Sequence, residues 1–313
     1  MEKPSDMAAA EELFSLYDAC RLCPRLCGAN RNAGKTGYCG MTASLTAARA
    51  ALHMWEEPCI SGSAGSGTVF FSGCSLQCIF CQNRTISAGR SGKEISKDRL
   101  ADIFLELQDK GALNINLVTG AHYIPHIIHA LDRAKKQGLR IPVLYNSSGY
   151  ERVETLKLLE GYVDIYLPDF KYMDPQLAED YSNAPDYPEA AKKAIREMLR
   201  QTGEPVFDDR GMMQRGVIVR HLLLPGHVRD SKQIVDYLHN TFGDRIYISL
   251  MSQYTPMEHM KHDPLLGRRV TKREYERLVD HAVSIGVTNG FIQDRKVAEE
   301  SFIPSFDGEG VRD

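Results

Sequence analysis

Apolar residues gather along this chain in short β-branched runs separated by amphipathic stretches. Runs near 67–72, 114–118, 141–145, 163–168, 217–224 and 246–251 hold few polar positions, which predicts strands buried on both faces, as in a parallel sheet. Between them the period lengthens toward 3.6. "SKDRLADIFLELQDKG" reads as a helix capped by Ser96, and "PEAAKKAIREMLRQTG" as one stopped at Gly203. "TKREYERLVDHAVSIG" reads as a last helix, opened by a capping box of Thr271 and Glu274. A short helix over 8–19 leads into an aperiodic loop. "SGSAGSG" at 61–67 reads as a flexible hinge and not a phosphate loop, since no Lys-Ser/Thr pair follows its glycines. The tail from about Glu299 is expected to fray.

Strand and helix alternating about six times predict an α/β fold, either a (β/α) barrel or a doubly wound sheet. In both, chemistry sits just past the carboxyl ends of the strands. The expected organisation is an N-terminal segment over 1–60, a β/α body over 61–260, and a helical extension and tail over 261–313.

Composition narrows the function classes. The 313 residues carry 38 basic and 41 acidic side chains, a formal charge of −3, so no global cationic field invites nucleic acid. No apolar run approaches the roughly 20 residues that cross a bilayer. The amino terminus has acids where a secretion signal is basic. A cytoplasmic protein without a membrane partner is expected. All eight cysteines fall between 20 and 81, and in a reducing compartment such a group reads as metal ligands before disulfides.

Three of them lie in "FFSGCSLQCIFCQN" at 70–83 as Cys74, Cys78 and Cys81. CxxxCxxC in a tight bend suits three irons of a cubane cluster, one thiolate each, and leaves the fourth iron open as a coordination site. A zinc reading needs a fourth ligand nearby, and Gln82 and Asn83 are poor ones.

With Phe80 ahead of the last cysteine and the loop set behind the first strand of a β/α array, the stretch resembles the radical S-adenosylmethionine superfamily. From about residue 18 to 295 the chain, through "CPRLCGANR", "YNSSGYE", "VDIYLPDFKY" and "RHLLLPG", is similar to the superfamily members grouped with pyruvate formate-lyase activating enzyme. The resemblance implies a partial (β/α)6 TIM-like barrel with an N-terminal Cys-rich metal-binding segment. It implies a [4Fe-4S] cluster on Cys74, Cys78 and Cys81 whose open iron chelates S-adenosylmethionine. Reductive cleavage there yields a 5′-deoxyadenosyl radical that abstracts hydrogen. It implies cofactor contacts from Phe80 and from successive strand ends. Thr119 and Gly120 stand in "VTGAH" where the superfamily has a Gly-Gly-Glu-like stretch, here without its acid. Asn146 and Ser147 face ribose and carboxylate, Asp169 and Lys171 match the activases' Asp-x-Lys element, Arg220 pairs with a carboxylate or ribose, and Gln253 and Tyr254 hold adenine. Implied partners are an electron donor such as flavodoxin or ferredoxin and a glycyl radical enzyme as protein substrate. Two other readings stay open: the same chemistry on a small molecule or modified peptide, and a non-catalytic iron–sulfur or zinc protein that transfers electrons or scaffolds a complex.

Cys20, Cys23, Cys27 and Cys39, spaced C-x2-C-x3-C-x11-C among turn glycines, read as a second metal site, a closed iron–sulfur cluster or a structural zinc. Arg21, Arg25, Arg31 and Lys35 offset its charge or form a docking face. Cys59 reads as a small apolar filler. His122, His126 and His129 share a helical face at metal-compatible spacing, though such histidines more often serve solubility or ligand hydrogen bonds.

Overall fold

The apolar runs become β2 (Ser66–Phe71), β3 (Ile115–Val118), β4 (Val143–Ser147), β5 (Ile165–Pro168), β6 (Met213–Leu222) and β7 (Tyr247–Met251), flanked by β1 (Thr46–His53) and β8 (Gly290–Ile292). They are seen in a computed structural model that describes residues 11–88, 91–293 and 304–311. From β2 to β8 the strands are parallel, and each lies beside the next in sequence. A doubly wound sheet reverses its order at a switch point. This one never does, so it is the wall of a barrel. β1 adds an antiparallel strand outside β2, and among the described residues no ladder joins that edge to β8, which leaves the barrel partial.

Helices α1 (Lys97–Asp109), α2 (Ile124–Lys136), α3 (Val153–Leu158), α4 (Pro175–Ser182), α5 (Tyr187–Thr202), α6 (Val228–Phe242) and α7 (Lys272–Ser284) connect the strands and follow them. α1 buries Leu100, Ile103, Phe104 and Leu107, the i, i+3, i+4, i+7 face of an amphipathic helix. Each of those side chains contributes about 1.5–3 kcal/mol of burial. Its first turn is capped as expected, with Ser96 Oγ accepting from the Arg99 amide at 2.9 Å. α5 ends at Gly203, and Thr271 with Glu274 forms the complete capping box of α7. None of the described helices is long and apolar enough to cross a membrane.

Two expectations are corrected. Residues 61–67 are no hinge. A helical turn at Pro58–Ser61 pushes Cys59 and Ile60 into the barrel floor against Leu144, Ile165, Leu167, Met213 and Ile218, so Cys59 is the filler expected of it. Asn114 Nδ2 donates to the Ile60 carbonyl at 2.9 Å, and Ser61 and Ser66 are buried. The glycines there serve close approach, since a Cβ on Gly67 would lie 2.9 Å from both Ala112 Cβ and the Asn114 carbonyl. Nor does the tail fray over 304–311. The Gly308 amide donates to the Ala48 carbonyl, the Ala50 amide to that of Glu309, and Phe306 packs edge-on against Phe70. Glu299–Ile303 lies outside the described residues, as do residues 8–10 of the expected first helix, whose described helical part is 11–15.

Behind β4, Glu151 is 3% exposed. Burial pushes its carboxyl up to about 8, against the pull of Ser147 and Tyr145. The folded chain therefore keeps a proton that the unfolded chain releases near 4.5, so the stability tied to this group is whole below 4.5 and drains away as pH rises through 8. Urea unfolding of Glu151→Gln should match the wild type near pH 4.5 and exceed it at pH 9 by on the order of 5 kcal/mol.

Candidate functional site

A cavity of about 740 Å³ runs down the barrel, roofed by Cys74, Cys78, Phe80 and Cys81 and floored by Glu56, Glu57 and Pro58. Its walls carry Thr119 behind β3, Asn146 and Ser147 at the end of β4, Asp169 and Lys171 behind β5, Arg220 from β6 and Gln253 behind β7. Two of the expected residues stand apart. Gly120 packs on Ile127 and Phe71. Tyr254 is 2% exposed, its hydroxyl donates to the Leu266 carbonyl at 2.7 Å, and its ring supports Phe80 at 6.2 Å.

The cysteine loop is shaped locally. Gly73 has φ +85°, and a Cβ there would lie 2.3 Å from Met41 Cγ, so only glycine lets the first cysteine segment press against the loop. Gln77 takes φ +53°, a costly left-handed turn that aims the Leu76 and Gln77 amides at Cys74 Sγ, 3.4 and 3.5 Å away. Ser182 Oγ, at the end of α4, donates to Cys78 Sγ at 3.1 Å. Burial, with the neighbouring Cys78 sulfur, pushes Cys74 up to about 12, so it is a thiolate only when a metal takes the proton's place. Buried sulfurs that accept amide and hydroxyl hydrogen bonds fit the ligands of an iron–sulfur cluster. Among the described residues no three His, Cys, Asp or Glu side chains converge on a point one ion could occupy.

A single buried network ties the strand ends together. Arg220 donates through Nε to Asp169 Oδ1 (3.2 Å), through Nη1 to Glu56 Oε2 (3.1 Å) and through Nη2 to Asn146 Oδ1 (2.6 Å). Lys171 Nζ holds the other Asp169 oxygen at 2.6 Å, and Asn116 Nδ2 holds the other Glu56 oxygen at 3.0 Å. Burial works to raise the Asp169 carboxyl, but Lys171 and Arg220 outweigh it and hold the group below its ordinary value. Thr119, β-branched, takes φ +59° on the cavity wall, a strain of roughly 1–3 kcal/mol held at the site. Glu56, Glu57 and Ser249 were missed by sequence reasoning. No local signal in "WEEPC" shows that it plugs a barrel.

The first cysteine group sits against the outside of this loop. The sulfurs of Cys27 and Cys39 flank Gly37, and Arg31 reaches Cys20 Sγ at 3.8 Å while donating to the carbonyls of Thr42 and His122. Arg31 is 1% exposed and Arg25 is turned inward onto backbone carbonyls, so neither belongs to a docking face. The three histidines share no ligand: His122 meets the Ser72 carbonyl at 2.7 Å, His126 the Tyr17 hydroxyl at 2.8 Å, and His129 lies 3.7 Å from Asp98. Burial brings His122 and His126 down to about 3, so both are neutral.

Comparison with known proteins agrees with this geometry. The profile of the Radical SAM superfamily matches residues 68–238. The uncharacterized protein MJ0674 of Methanocaldococcus jannaschii is 30% identical over 276 residues, 86% of this chain and 75% of that one. Among solved structures, Streptococcus suis SuiB is 14% identical over 73% of this chain with a TM-score of 0.47; the chain spans about half of it, 48%. A domain of pyruvate-formate lyase-activating enzyme from Bacteroides vulgatus is 17% identical, with 55% of this chain and 93% of that domain covered and a TM-score of 0.37. A profile spanning more than half of the chain, with its three cysteines on the roof of a barrel cavity, establishes that the chain belongs to the Radical SAM superfamily, whose members use a [4Fe-4S] cluster and S-adenosylmethionine.

Proposed function

We propose that this protein abstracts hydrogen from a polypeptide substrate, in the manner of a glycyl radical enzyme activase. The observation that carries the reading is the Asp169–Lys171 pair, anchored on Arg220 and facing the same cavity as Cys74, Cys78 and Cys81. In this reading those cysteines hold a [4Fe-4S] cluster, which when bound supplies the electron that cleaves S-adenosylmethionine to a 5′-deoxyadenosyl radical. Thr119, Asn146, Ser147 and Gln253 orient the nucleotide, and Lys171, fixed by Asp169, offers a cation beside Cys78 and Cys81. Phe80, Leu76 and Met251 exclude water around the reacting atoms. Cys20, Cys23, Cys27 and Cys39 take a second metal, a closed iron–sulfur cluster or a structural zinc. Flavodoxin or ferredoxin fits as donor, and the eight unpaired cysteines fit a cytoplasmic location.

Anaerobically reconstituted protein given S-adenosylmethionine and dithionite should release 5′-deoxyadenosine, and Cys78→Ala should release none. A cluster spectrum unmoved by S-adenosylmethionine would sink the reading. The activase role is tested separately, by a glycyl radical doublet in the electron paramagnetic resonance spectrum of a partner enzyme.

A further inference from the structure

The inner end of the cavity holds an acid that the chain satisfies only in part. Glu57 lies on the connection between β1 and β2, is 8% exposed, and has one carboxylate oxygen without a hydrogen-bond partner. Ser249 is the one side chain among the described residues that bonds it, and the cations nearby are spent elsewhere: Arg220 on Asp169, Glu56 and Asn146, and Lys171 on Asp169. Three carboxylates, Glu56, Glu57 and Asp169, thus face two cations. His53 on the same wall does not make up the difference, since burial and the charges of Arg220 and Arg49 hold it neutral. A buried carboxylate oxygen without a donor is costly, and here one positive donor would close the charge balance.

We propose that this end of the cavity is the substrate's subsite, and that Glu57, with Ser249 beside it, receives a cationic nitrogen, a primary ammonium or guanidinium group, on the substrate. The inference rests on the reading that the substrate is held in this cavity, and it names the substrate's chemistry. The nitrogen is not the one carried by S-adenosylmethionine. The three cysteines follow the carboxyl end of β2, whereas Glu57 comes before its amino end, with the whole strand between them in the chain. Burial raises the Glu57 carboxyl against the pull of Arg220, and a cation arriving beside it favours the charged form. Neutral groups in the same place gain much less, which makes the subsite selective for charge.

The test is equilibrium dialysis of the reconstituted full chain, with S-adenosylmethionine present, against n-butylammonium chloride and its neutral isostere n-butanol. The wild type should bind the ammonium at least tenfold more tightly than the alcohol. Glu57→Gln should lose that preference while its affinity for S-adenosylmethionine stays within twofold. Equal binding of the ammonium by wild type and variant overturns the proposal. So does a tenfold loss of S-adenosylmethionine affinity, which would give the carboxylate to the nucleotide. Should the variant not fold, the wild-type comparison decides alone, and absence of an ammonium preference there overturns it. Ammonium selectivity without 5′-deoxyadenosine release would count against the proposed function and leave the subsite standing.

Discussion

Replacing Arg220 by alanine is expected to cost about 3–5 kcal/mol of folding stability at pH 7, seen as a lowered urea midpoint. The Arg220 side chain is 16% exposed, and its ion-pair partners Glu56 and Asp169 are 8% and 17% exposed, so its loss leaves Glu56 with no cation and Asp169 with Lys171 alone, where water reaches poorly. Lysine should recover less than half of the loss. Its point charge cannot meet Asp169, Glu56 and Asn146 at once, as a planar fork does. Adding Glu56→Gln to the alanine variant should restore part of the stability by removing one stranded charge. The pH dependence has a definite sign. Asp169 is held below its ordinary value of 3.8, so its stabilisation is present above 3.8 and disappears as pH falls through the lower folded value. The gap between wild type and Arg220→Ala should therefore narrow below about pH 3.8. A loss under 1 kcal/mol at pH 7 would mean that water screens the network and that it does not fix the strand ends.

What could be foreseen from residues alone follows from how local each signal is. The six buried strands announce themselves because a run such as "INLV" has no polar face to offer solvent. β1 does not, because "TAARAALH" is alanine-rich and alanine disfavours strands. It forms because β2 pairs with it along its length while the remote tail at 308–309 bonds the backbone of Ala48 and Ala50. β8 has three residues and no periodicity to detect. The roof of the cavity is legible since cysteine spacing is a property of one loop. The floor is not, since Glu56 and Glu57 become interior only when strands 60 to 190 residues away close around them. Strand-end position also says nothing of rotation about the strand. That is why Gln253 reaches the cavity while Tyr254, one residue on, points behind Phe80.

Arg25→Ala should loosen the cysteine loop from the far side, although its bonds reach none of Cys74, Cys78 and Cys81. Its guanidinium donates to the carbonyls of Ser75 (2.8 Å) and Leu76 (3.4 Å) inside that loop, and to those of Ser182 (2.8 Å) and Asn183 at the carboxyl end of α4. Those last carbonyls are the unpaired, negative end of a helix, and the same Ser182 supplies the hydroxyl at Cys78 Sγ. The guanidinium is held over the Tyr38 ring at 3.9 Å and near that of Tyr150 at 5.2 Å, and Gln77 Nε2 returns a bond to the Tyr38 carbonyl at 2.7 Å. The first cysteine segment thus grips the second cysteine loop through both backbone and side chain. Hydrogen bonds to a charged donor contribute about 1.5–3 kcal/mol each and do not add when they share one group, so the expected loss is about 2–4 kcal/mol. Amide hydrogen exchange at 75–78 should quicken at least tenfold while β2 stays protected, and iron retained after reconstitution should fall several-fold. Arg25→Lys should fall between, keeping the charge but reaching fewer of the four carbonyls. Unchanged exchange at 75–78 in the alanine variant would show that the loop holds its shape without the clamp, and the cluster's geometry would then be set by Gly73, Gln77 and Ser182 alone.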